Sequence, residues 1–71
     1  MNISLFKKGT VISHRKMGGE YVVLMTPYDR LVIEGSMEDA YMYEAVDDTR
    51  IKYVRPKYEM EDGRFTVVTK S

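Results

Sequence analysis

Histidine is the side chain best suited to moving protons at neutral pH, and the sequence has one, His14. Catalysis through it would require a nucleophile within reach and a third group to orient the ring. Ser13 is adjacent, but neighbours on a strand point to opposite faces. There is no cysteine, so a thiolate zinc site is excluded, and a lone histidine makes a poor transition-metal site. Adjacent carboxylates occur at Glu38-Asp39, Asp47-Asp48 and Glu61-Asp62. Aspartates at turns bond their own backbone, so these pairs read as solvated turn formers rather than as an acid/base couple. Lys16-Met17-Gly18-Gly19 lacks the spacing and the Ser/Thr of a phosphate-binding Walker loop. The sequence therefore predicts a protein that is not an enzyme, with no cofactor and no metal.

The chemistry that remains is recognition. Arg55 precedes Pro56, and the residue before a proline is held extended. Its planar fork of donors can then grip a carboxylate or a phosphate through two hydrogen bonds. Lys52, Lys57 and Arg50 are its sequence neighbours, and Tyr53 stands one pleat away. Arg15 and Lys16, with Lys7 and Lys8, are placed to face it from the other end of the chain. The competing reading makes Arg55 a structural lock that pairs with an acid of the domain, with Glu44 across the hairpin as the expected partner. Six tyrosines and six methionines supply surfaces for stacking bases or for a protein partner.

Seventy-one residues form one domain, 1–71, with a small core. Chains of this size often gain burial by self-association, so a homodimer is an open expectation. Net charge is zero, which argues against a dedicated nucleic-acid binder, but the charges are segregated. Residues 1–20 carry +3, residues 21–49 carry −6 and residues 50–71 carry +3. With the chain ends side by side, such a molecule has one basic and one acidic side. Glu38, Asp39, Asp47 and Asp48 then form an acidic surface for a basic partner. The opening MNISLFKKG has no apolar run long enough for a signal peptide or a membrane span. A cytoplasmic protein without membrane contact is expected.

These residues must be positioned by strands. After a lead-in over residues 2–8 and a turn at Gly9, residues 10–14 form a β-branched strand. Gly18-Gly19 makes a hairpin turn, and EYVVLM over residues 20–25 is the central strand. Pro27 ends it; residues 28–30 turn, and Leu31-Val32-Ile33 is a short third strand. Over residues 36–45 two patterns compete. Ser36 and Asp39 resemble a helical capping box, whereas Tyr41, Tyr43 and Ala45 alternate with Met42, Glu44 and Val46 as a strand does. The strand is the preferred reading, and one short helix near residues 36–45 is the alternative. Asp47-Asp48-Thr49 turns into residues 50–55, where Ile51, Tyr53 and Arg55 share one face and Lys52 and Val54 the other. Asp62-Gly63 joins Tyr58-Glu59-Met60 to residues 65–68 as a final hairpin, whose last strand can close onto the first. Five to seven short strands at this spacing predict an all-β fold, a small antiparallel barrel.

The landmarks resemble a family of small bacterial and phage proteins known as a domain of unknown function. Gly9, His14, Lys16, Gly18 and Tyr21-Val22-Val23 correspond to its opening strand, Lys-Gly turn and Tyr-x-Val strand. Tyr41-Met42-Tyr43-Glu44-Ala45 and Tyr53-Val54-Arg55-Pro56 correspond to its later strands, with Tyr53 where the family has tryptophan. The resemblance spans roughly residues 9–60 and implies an SH3-like barrel. It implies no activity. Two functions follow as expectations. The first is a small inhibitor or adaptor acting on a protein partner. The alternative is a binder of an anionic small molecule, nucleotide or nucleic acid through Arg55, Tyr53, Lys52 and Lys57, with Arg15 and Lys16 opposite.

Overall fold

The paired glycines at 18 and 19 set the first hairpin, and each has its own reason to be glycine. Gly18 sits at φ +78°, the left-handed region that side chains avoid. A Cβ on Gly19 would lie 2.8 Å from the Tyr21 hydroxyl. In the computed structural model, which describes residues 4–68, this turn joins β1 (Val11–His14) to β2 (Glu20–Met25). A 3₁₀ turn follows at Pro27–Asp29, capped reciprocally by Thr26 and Asp29. Then come β3 (Val32–Ile33), β4 (Glu38–Ala45), β5 (Asp48–Pro56), a one-turn helix α1 (Lys57–Met60) and β6 (Phe65–Val67).

Every pairing is antiparallel. The order is β3-β4-β2-β1-β6, with β5 also on β4. The fold is all-β with a short helix, as the turn spacing leads one to expect, and residues 38–45 are a strand. Two expectations are corrected. The sheet does not close into a barrel: β6 does fold back onto β1 (Ile12 opposite Val67), yet among the described residues β5 pairs with β4 alone and its outer edge stays open. The short helix lies at Lys57–Met60, not near residues 36–45, and replaces the strand expected at residues 58–60. The cause is Pro56, which ends the ladder, followed by two ion pairs at helical spacing. These are Arg55 to Glu59 at 2.9 Å and Lys57 to Glu61 at 2.7 Å. The lead-in contributes Phe6 to the core; residues 2 and 3 of that lead-in lie outside the described residues.

The core comprises Phe6, Ile12, Val23, Tyr41, Tyr43, Met60 and Phe65. Ile12, rather than Val11, is the inward residue of β1. Tyr41 is fully buried, and its hydroxyl must find partners there. It donates to Glu61 Oε2 at 2.5 Å and accepts the Phe6 N–H at 3.2 Å. Glu61 Oε2 also accepts the Leu5 N–H, and its other oxygen takes Lys57. One carboxylate thus ties the lead-in, β4 and α1 together.

Burial first, then the Glu61 hydrogen bond, pushes the Tyr41 phenol up to about 12. Burial alone would raise the Glu61 carboxyl, but bonds from Lys57, Tyr41 and the Leu5 N–H outweigh it and hold the group below its ordinary value. A carboxyl lowered by folding contributes stability above its unfolded pKa and loses it as pH falls through the folded value. Thermal melts should therefore show stability falling below about pH 4.5, and Glu61→Gln should flatten that acid limb while lowering the neutral melting temperature. An acid limb unchanged in the variant would contradict the latch.

Candidate functional site

The site grows from the ends of three strands around the Phe65 ring. His14 closes β1, and its Nδ1 accepts the backbone N–H groups of Lys16 (3.3 Å) and Met17 (3.0 Å). Neutral His14 therefore carries its proton on Nε2. The ring clamps the turn that presents residues 15–17 and meets Phe65 edge-to-face at 5.0 Å. The Arg15 N–H donates to the Arg64 carbonyl at 2.8 Å, which fixes the β1–β2 turn to the segment entering β6. Asp62 accepts the Arg64 N–H, the aspartate turn expected before Gly63.

Arg55 reaches the same place from the end of β5. Its Nε donates to the Tyr43 hydroxyl at 3.2 Å, its Nη1 donates to Glu59 Oε1, and its Cζ lies 5.7 Å from the Phe65 centroid. Arg64 donates to the same Glu59 oxygen at 3.2 Å and forms an ion pair with Asp62 at 3.0 Å. His14, Arg15, Lys16, Met17, Arg55 and Arg64 line an open cleft of about 480 Å³. Behind it Tyr21, Tyr43 and Phe65 pack edge-to-face, and Tyr53 stacks on Tyr43 at 5.3 Å. Burial, followed by Tyr53 and Tyr43, pushes the Tyr21 phenol up, so it stays neutral.

Of the residues singled out in the sequence, the structure brings Arg55, Arg15 and Lys16 to one cleft. Lys52 and Lys57 go elsewhere. Lys52 pairs with Glu44 at 2.7 Å on the other side of the sheet from Arg55, as alternation along β5 requires. Lys57 belongs to the Glu61 latch. The expected Glu44 partner for Arg55 is thus taken, and Glu59 fills that role. Tyr53 is half-exposed at the rim of the aromatic cluster. The acidic residues do not converge: Glu38 and Asp39 begin β4, whereas Asp47 and Asp48 lie past its far end, about 25 Å away along an extended chain. Asp48 is paired with Arg50 at 3.1 Å.

Arg64, Glu59 and Phe65 were not legible as site residues. The signal for Arg64 is its place directly after an Asp-Gly turn; that for Glu59 is its helical spacing from Arg55. A second hollow of about 460 Å³ is lined by Ser4, Phe6, Lys7, Lys8, Thr26, Tyr28 and Asp29. There Lys8 is answered by Asp29 at 2.8 Å. Among the described residues no group of three or more His, Cys, Asp or Glu is placed to hold a metal ion, and no helix is long and apolar enough to cross a membrane.

No family model, no curated protein and no solved structure matches the chain.

Proposed function

We propose that this chain is a non-enzymatic binding protein and that the basic cleft takes an anionic ligand. One observation carries the reading. Arg15 and Lys16 are exposed at the cleft and make no ion pair among the described residues, while Arg55 and Arg64 are braced behind them by Glu59. Small domains usually answer surface cations with nearby acids, as Lys8, Arg50, Lys52 and Lys57 are answered here. Clustered cations left unanswered over an apolar floor hold a standing positive potential. His14 supports binding rather than chemistry, since its Nδ1 is used as a turn clamp. Titrating inorganic phosphate into the protein should give saturable binding that weakens as salt is raised. Binding that is absent, or indifferent to salt, contradicts the reading.

A second reading, action on a protein partner as inhibitor or adaptor, is favoured by β5. Its residues 49–54 are exposed, Ile51, Tyr53 and Val54 among them, and among the described residues its outer edge is unpaired, the arrangement that accepts an added strand. The tagged protein should then retain a partner, or a second copy, that Ile51→Asp releases. Retention unaffected by that change excludes β5 as the contact.

A further inference from the structure

We propose that the ligand of the cleft is a small phosphate monoester bearing two negative charges, and that Glu59 is a resident counter-anion that tempers the cleft's hold on it. The inference rests on the cleft being the recognition site. Four cations line it: Arg15, Lys16, Arg55 and Arg64. Two anions belong to it. Glu59 Oε1 bridges Arg55 Nη1 at 2.9 Å and Arg64 Nη1 at 3.2 Å, and Asp62 holds Arg64 Nε at 3.0 Å. Two positive charges remain unanswered, those of Arg15 and Lys16. A dianion neutralises the cleft, whereas a carboxylate or a phosphodiester leaves it with one charge over. The donors suit a phosphoryl group, because guanidinium forks match its oxygens in pairs and an ammonium adds a point charge.

Glu59 does more than steady two arginines. It is a built-in counter-anion that shares their donors with whatever enters. It stands on α1, one turn after Arg55, so its position is fixed by the helix and not by a loop. Removing its charge leaves three unanswered cations and strengthens the hold on any anion. Keeping it weakens the hold on every anion, and the two charges left unanswered, Arg15 and Lys16, favour a doubly charged group over a singly charged one.

Calorimetric titration with methyl phosphate and dimethyl phosphate at pH 8 and low salt tests this. The wild-type protein should bind the monoester at least about tenfold more tightly than the diester, and Glu59→Gln should bind the monoester about tenfold more tightly still. That is the order expected for one unit charge a few ångströms away in partly screened surroundings. Equal affinity for mono- and diester, or an unchanged affinity in a folded Glu59→Gln protein, overturns the inference while leaving the cleft an anion site. Binding of neither ester by the wild type overturns the cleft reading as well. Should Glu59→Gln not fold, the Glu59 carboxyl carbon resonance of the wild type decides. A shift that saturates with added methyl phosphate supports the role, and an unmoved resonance refutes it.

Discussion

Replacing Arg15 and Lys16 together with alanine should cost the protein at least about tenfold in affinity for inorganic phosphate while leaving its melting temperature unchanged within error. The separation of the two effects is the point of the experiment. Both side chains are exposed, and neither forms an ion pair within the described residues. Surface substitutions away from caps, cores and networks usually fall within about 0.5 kcal/mol. Their whole contribution is therefore to the potential at the cleft mouth. The backbone N–H groups of Lys16 and Met17 that His14 holds survive the change, so the turn keeps its shape. Titration calorimetry on the wild type and the double variant, with thermal melts alongside, reads both quantities. Undiminished phosphate affinity in the variant would place binding elsewhere.

Phe65→Ala should be the most damaging single substitution near the site, at about 3–5 kcal/mol. Phe65 is buried at 5% exposure and is touched by His14, Tyr21, Tyr43 and the Arg55 guanidinium. Removing the ring opens a cavity under the cleft and frees both the histidine clamp and the arginine. A domain of this length has a total stability of about 4–10 kcal/mol, so a loss of this size removes a large share of it and should lower the urea midpoint steeply. Phe65→Leu should cost less than half as much, because most of the volume is kept. Urea denaturation of the three proteins checks the order. A loss under about 1 kcal/mol for alanine would mean that Phe65 is not the floor on which the cleft is assembled.

The strands were legible because alternation and turn chemistry agree along most of the chain. Residues 20–25 have a continuous apolar run bounded by glycine and proline, and they became the middle strand. Residues 38–45 had two readings, and the alternation of Tyr41, Tyr43 and Ala45 prevailed because β2 and β5 flank β4 on its two edges. The one-turn helix was not legible. Four residues are too few to show a helical period, and the Asp62-Gly63 signal suggested a hairpin on both sides. With the helix hidden, Glu59 was hidden too, and Arg55 was assigned the wrong partner. The grouping of Lys52 with Arg55 failed for a simpler reason: adjacent sequence does not mean adjacent space, and the pleat sends residues 52 and 55 to opposite faces. The convergence of Arg15, Lys16 and Arg64 is a matter of tertiary pairing. It depends on β6 lying beside β1, which brings residues nearly fifty positions apart to one turn.

Open edges qualify the architecture in a useful way. A closed barrel would leave β5 no free edge, whereas here nine residues from Asp48 to Pro56 run along an edge that no other described residue pairs with. Arg50 and Lys52 on that strand, paired with Asp48 and Glu44, are the kind of charges that discourage indiscriminate strand pairing.

The most direct test of the central claim is a two-dimensional amide NMR titration of the protein with sodium sulfate at constant ionic strength. Saturable shifts concentrated at residues 14–17, Arg55 and Arg64 are the predicted result. Shifts that never saturate, or that concentrate instead at Lys7, Lys8 and Asp29, would contradict it.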